Sequence, residues 1–391
     1  MINQHAASAI ETVYGAPLDQ ATPVNRLASL DVLRGIAALG VGWFHSRVDL
    51  WVGFKAIQTD HSAYSTVDRL LSYLSLPVSQ MGGTVMIFFV LSGFFIHLPI
   101  ASRQRMPHWS SYAMRRFMRI YPAYLVTLLI CLLAALCLFQ AAAKPDELNI
   151  YAASALMVQN WLHEGRQIAM NPSLWTIPVE VEAYFLYPLL YWIWRRHGVL
   201  SALGYTIVLT IISFVLFAKG YQWASTSFFK YALVWNAGAW LAEAYASNRL
   251  PRWSRLHGCF LLATPVITML AGLANVNDFY LHYGWGIWSV LLLFWVLGPG
   301  SRFFAVDSWW MPPLIFTGTI SYSYYLLHFP VFKLAGAAWD RLFDGKPESF
   351  IVPTIATFAM IPIAWTFYKL VEQPTHRLAR QLSASLLSRS I

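Results

Sequence analysis

Along most of the chain, apolar residues run on for about twenty positions at a time, and polar residues gather in short stretches between the runs. A bilayer core about 30 Å thick needs about twenty mostly apolar residues per α-helix, an element that satisfies its own backbone hydrogen bonds in lipid. The runs predict about ten spans, at 29–48, 78–100, 119–140, 174–194, 199–218, 228–246, 259–275, 283–299, 313–338 and 350–371. The longest connections, 49–77 and 141–173, are too short and irregular for a further folded unit. The expected fold is therefore all-α: a polytopic membrane bundle with no appended soluble domain. Residues 1–28 read as an N-terminal tail, 29–375 as the membrane domain and 376–391 as a C-terminal tail. Segment 151–162 has helical spacing but cannot span, and reads as a helix lying in the outer interface, held by Trp161.

Composition sharpens this. The chain is 58% hydrophobic, 16% aromatic and only 12% charged, about half the charged fraction of a soluble domain. The net charge of +9 suggests nucleic acid only until the charges are placed. With the N-terminus inside, Arg115, Arg116, Arg119, Arg195, Arg196, Arg249, Arg252, Arg255 and Arg302 all fall on the cytoplasmic side, as do Arg103, Arg105, Arg377, Arg380 and Arg389. The opposite loops carry mixed charge, including Asp60, Asp146, Glu147 and Asp278. The basic balance thus records topology, with both termini cytoplasmic and membrane lipid rather than nucleic acid as the partner. Cys131, Cys137 and Cys259 lie in apolar stretches without ligand spacing, so no disulfide framework or metal site is expected. Residues 1–26 lack an apolar core, so no cleavable signal peptide is read.

Charged and imidazole groups inside apolar spans cost several kcal/mol unless paired or hydrated. Arg34 and His45 stand out, because eleven residues at about 100° each come within about 20° of three full turns, with a rise of about 16 Å. Both lie on one face, the cation toward the inner leaflet and the imidazole toward the outer one. Asp31, three residues before Arg34, also suits a simple pair along the helix. Glu180 lies at a similar depth to His45, where a carboxylate accepting the imidazole N–H would raise its basicity. Glu182 points about 200° away and reads as structural. Arg116 and Arg119 share a helical face at the cytoplasmic mouth of the third span, a spacing that suits phosphate as well as topology.

Together these residues resemble acyltransferase family 3, membrane proteins that O-acylate bacterial surface glycans and some other hydroxyl substrates. The opening Ser29-Leu-Asp-Val-Leu-Arg34-Gly-Ile-Ala-Ala, followed by His45, is similar to the family's first helix, and Phe88-Phe-Val-Leu-Ser-Gly-Phe94 to its second. Arg115-Arg116-Phe-Met-Arg119-Ile-Tyr-Pro122 resembles its paired-arginine segment, and Ser173-Leu-Trp-Thr-Ile-Pro-Val-Glu180 the stretch with its acidic residue. Ser321-Tyr-Ser-Tyr-Tyr-Leu-Leu-His328 and Val371-Glu-Gln-Pro374 agree with late motifs. Any one is weak; six in order are specific. Two departures are Val181, where members often have a second carboxylate, and Pro178, where they often have serine.

The resemblance implies a membrane O-acyltransferase of the bacterial inner membrane, taking an acyl group, by default acetyl, from cytosolic acyl-CoA to a hydroxyl of a surface or lipid-linked glycan such as O-antigen or exopolysaccharide. Acyl-CoA would be the donor substrate, with no tightly bound cofactor. Arg34, Arg116 and Arg119 would hold its phosphates, His45 would take the acceptor's proton, and Glu180 would assist; Ser92, Trp175 and His328 are supporting candidates. Direct transfer and a transient acyl-enzyme both fit, and the short form leaves room for an extracytoplasmic partner protein. A proton-coupled transporter or flippase is the alternative, since intramembrane His and Glu suit it too, but no half-to-half repeat of the kind carriers show is found. A structural subunit of an export complex would need no histidine and arginine on one face.

Overall fold

The computed structural model describes residues 24–60, 62–103, 108–139, 145–162, 166–304 and 308–388, and among them there is helix and turn but no strand. The helices are α1 (Val24–Leu50), α2 (Phe54–Thr59), α3 (Thr66–Val78), α4 (Val85–Arg103), α5 (Trp109–Ala134), α6 (Pro145–Ala155), α7 (Gln159–Leu162), α8 (Thr176–His197) and α9 (Val199–Ala218). There follow α10 (Phe228–Ala246), α11 (Arg255–Leu273), α12 (Asp278–Leu297), α13 (Met311–Thr319), α14 (Ser321–Phe343), α15 (Ile351–Phe367) and α16 (Gln373–Ser388). Arg105 and Arg389 lie outside the described residues, as does most of the N-terminal tail.

A helix covers every predicted run, but among the described residues six stretches are long and apolar enough to cross a membrane by length and composition: Thr66–Ser102, Trp109–Cys137, Ser201–Ala218, Arg255–Leu273, Asp278–Leu297 and Ile351–Ser383. The expected count of about ten is not reached on that measure. The helices that fall short, α1, α8, α10 and α14, bear Asp31 and Arg34, Glu180 and Glu182, Lys230 and Glu243, and Lys333 and Asp340. These polar side chains lower their apolarity, and Arg34 and Lys230 among them are buried in the interior, whereas α11 turns Phe260, Leu262 and Ile267 outward.

Three further expectations change. The run 313–338 is broken at Ile320, where the backbone leaves helical geometry between α13 and α14. α13 is pressed onto α1 there: a Cβ on Gly318 would stand 2.0 Å from the Asp31 carbonyl oxygen, and one on Gly35 2.4 Å from that of Leu314. Segment 151–162 is not one helix, because α6 ends at Ala155 and α7 restarts at Gln159; Trp161 stacks on Trp223 at 4.5 Å. The C-terminal tail begins inside α16, whose Ser383 hydroxyl bonds the Ser111 carbonyl of α5 at 3.4 Å.

α4 and α10 meet through a second glycine contact. A Cβ on Gly93 would lie 2.0 Å from the Trp235 carbonyl oxygen, and one on Gly238 2.0 Å from that of Val90. Small residues let helix backbones touch in this way.

Prolines inside two helices bear on the site. Pro188 in α8 and Pro330 in α14 each leave the carbonyl four residues earlier without its helical donor. The Tyr112 hydroxyl donates to the Tyr184 carbonyl at 3.3 Å and the Asn171 amide to that of Leu326 at 2.8 Å. Both lost bonds are replaced by side chains from elsewhere in the bundle, as buried backbone requires. Asn171 thereby anchors the turn Pro172–Trp175, from which α8 starts.

Candidate active site

The bundle holds two neighbouring open chambers whose linings share Val85 and Tyr325. The smaller, about 80 Å³, is lined by Arg34, Arg116, Arg119, Ser92, Glu180 and Tyr184, among others. The larger, about 370 Å³, has His45, Trp175, Lys230, Asp278 and His282 in its wall. The Tyr325 hydroxyl between them donates to the Ser173 carbonyl at 2.7 Å and accepts from Thr176 Oγ1 at 2.8 Å. These bonds tie α14 to the start of α8.

The three arginines named from sequence thus line one chamber. Arg34 pairs with Asp31 at 3.3 Å, the helix-surface pair that three-residue spacing allows, and lies over the Phe95 ring at 4.2 Å. Arg116 sits against the rings of Tyr112 and Tyr184, 5.7 and 5.4 Å from their centroids. Glu372 of the closing motif, 4% exposed, accepts from the Ser323 hydroxyl and lies within electrostatic reach of Arg119 and Arg34. Sequence reasoning gave Glu372 no role, although the motif containing it was visible.

Glu180 belongs to the arginine chamber and does not meet His45. One of its oxygens accepts from the Tyr184 hydroxyl and from Ser92 Oγ at 3.3 Å, and Ser92 in turn accepts from the Trp235 indole at 3.2 Å. Depth counted from the outer end of the predicted span 174–194 puts Glu180 level with His45. Instead the preceding turn is inside the bundle, with Ser173 and Leu174 buried, and Thr176 and Ile177 already line the smaller chamber. Glu180 therefore lies toward the arginines. Glu182 is structural, accepting from the Trp161 indole and the Phe228 backbone N–H, both at 2.7 Å.

His45 lines the larger chamber, its ring packed edge-on against His328 and Phe329 at 5.1 and 5.0 Å. His328 is fully buried and donates from Nδ1 to the Tyr325 carbonyl at 2.7 Å. That bond places the proton on Nδ1 and leaves Nε2 with its lone pair. Trp175 forms a wall of the same chamber, 5.6 Å from Tyr231 and 6.0 Å from His282, centroid to centroid. His282 was missed from sequence because it sits one residue before the run placed at 283–299; Lys230, noticed as an intramembrane charge, reaches its Nδ1 at 2.8 Å.

The arrangement joins cations suited to phosphate with an imidazole-lined space holding aromatic and polar walls. The profile of the acyltransferase family 3, described as an acyltransferase domain, matches residues 27–369, most of the sequence. The chain belongs to acyltransferase family 3. It is 29% identical over 175 residues to acyltransferase MdmB of Streptomyces mycarofaciens, covering 44% of this chain and 41% of that one. It is 25% identical over 323 residues to YrhL of Bacillus subtilis, which carries the name of a peptidoglycan O-acetyltransferase, covering 74% of this chain and 49% of that one. The chain spans less than half the length of either relative. No solved structure matches it. Family membership and six helices, among the described residues, that are long and apolar enough to cross a bilayer mark it as a membrane protein.

Proposed function

We propose that the chain is a multi-pass O-acyltransferase of the bacterial inner membrane, with both termini cytoplasmic, moving an acyl group from acyl-CoA to a hydroxyl of a surface or lipid-linked glycan. The observation that carries this reading is the pair of adjoining chambers, arginines in one and His45 in the other, whose linings share Tyr325 and Val85. Arg34, Arg116 and Arg119 would bind phosphate oxygens by charge-assisted hydrogen bonds. A space of about 80 Å³ is on the scale of a phosphate group rather than a nucleoside.

The acceptor enters the larger chamber. Its hydroxyl oxygen attacks the thioester carbonyl carbon while His45 takes the proton; the C–S bond breaks, the new C–O ester bond forms, and the proton passes to the leaving thiolate to give the free thiol. His328 packs beside His45 and orients it, and Glu180 shapes the donor side through Ser92 and Tyr184. Membership of an acyltransferase family supports this over a proton-coupled carrier. The test is acyl transfer by the purified chain in proteoliposomes, with acetyl-CoA supplied on one side, free thiol measured, and the glycan read by mass spectrometry. A mass gain of one acyl group that requires acetyl-CoA supports the reading; solute flux without ester formation would sink it.

A further inference from the structure

Lys230 is a cation in a place that resists charge. It is 2% exposed, lies on α10 in the wall of the larger chamber, and places its ammonium 4.6 Å from the centroid of Phe279 and 5.0 Å from that of Tyr231. It takes part in none of the ion pairs found among the described residues. Asp278, the one acidic residue in the chamber wall, acts on it only at longer range. A buried ammonium is costly unless a counter-charge is close, and cation–π contacts return only part of that cost.

The polar geometry around it is half complete. Lys230 spends one of its three donors on His282 Nδ1, 2.8 Å away, where the Tyr231 hydroxyl also approaches to 3.5 Å. With Nδ1 accepting, the proton of a neutral His282 sits on Nε2. An ammonium and an imidazole N–H therefore border the same chamber, beside the flat faces of Trp175 and Trp285 and the amides of Gln80 and Asn277. Flat aromatic faces with a few polar groups suit a sugar ring.

We propose that Lys230 and His282 bind a carboxylate of the acceptor, so that the glycan acylated here contains an acidic sugar whose hydroxyl is thereby held toward His45 in the same chamber. This rests on the transferase reading and deepens it by naming the acceptor class. A singly charged carboxylate fits better than a phosphate. The Lys230 ammonium matches one negative charge, Asp278 in the same wall repels a second, and the chamber offers no guanidinium fork, which the smaller chamber does.

The experiment reads binding, so that its failure is separate from failure of acyl transfer. The full chain in detergent is titrated with methyl glucuronoside, its uncharged methyl ester, and glucose 6-phosphate, following thermal stabilisation. The uronate is expected to bind about tenfold or more tighter than the ester, in line with a charge-assisted contact. Lys230→Met should bring the uronate down to the ester's level, and Lys230→Arg should keep part of the difference. Equal affinity for acid and ester in the unaltered chain overturns the proposal, whether or not Lys230→Met folds. Tighter binding of the phosphate than of the uronate overturns the carboxylate assignment. Absence of acyl transfer in the assay above, with uronate binding intact, would remove the transferase reading and leave the carboxylate site.

Discussion

His45 and His328 stand ring to ring, 5.1 Å between centroids, and His45 Nδ1 and His328 Nε2 are both buried without a hydrogen-bond partner among the described residues. Unpartnered buried nitrogens are costly and mark places kept for something other than stability. His45→Gln should fold and bind acyl-CoA yet lose glycan acylation by about a hundred- to ten-thousand-fold, the usual effect of removing a general base. Near-normal product by mass spectrometry, at matched protein level, would reduce His45 to a packing residue.

Donor binding should fail differently. Arg116→Ala or Arg119→Ala removes charge-assisted contacts worth about 1.5–3 kcal/mol each, so acyl-CoA affinity should fall about tenfold or more in equilibrium binding. Because Glu180 shares the arginine chamber and not the one lined by His45, Glu180→Gln should alter acyl-CoA affinity more than the pH profile of transfer. A shifted pH profile with unchanged donor affinity would return Glu180 to the side of the base.

Tyr325→Phe deletes a hydroxyl that makes two hydrogen bonds in the partition, each worth about 0.5–1.5 kcal/mol net. With the partition loosened, water from the larger chamber should reach the thioester, and release of free thiol without acceptor should rise severalfold. A rate of thiol release equal to that of the unaltered chain, in a folded variant, would show that Tyr325 is not the barrier.

Orientation is open to direct labelling. In a background with the exposed Cys137 and Cys259 replaced, Asp60→Cys should react with an impermeant thiol reagent from outside intact cells, and Arg252→Cys only after permeabilisation. Reaction of position 252 from outside would invert the bundle and exchange donor and acceptor sides.

Helix positions were legible because apolar runs of the right length leave few other solutions, and the arginine chamber because three-residue spacing in Arg116 and Arg119 fixes a shared face. What sequence did not show was rotation and starting depth. Glu180 was placed by counting from a span end, but the turn before α8 lies inside the bundle and Asn171 holds it there, so the count started at the wrong level. His282 lies one residue outside the predicted run, and the break at Ile320 sits beside the close approach of Gly318 to α1, a tertiary contact that the apolar run does not reveal.

The glycine contacts bear on how the molecule is made. Gly35 of α1 closes against α13, and Gly93 of α4 against α10, so helices synthesised early find their partners only after most of the chain has entered the bilayer. α1 carries both Arg34 and His45, yet it is locked only when nearly the last helices arrive. Until then α1 has only its early neighbours, the Met81–Thr84 turn and α4, and a chain stopped before α13 carries Arg34 and His45 without the late helices that close on them. If acyl-CoA binds as proposed, its binding also reports that biogenesis has run to completion, and truncation or a slow late insertion step would silence it before any site residue is touched.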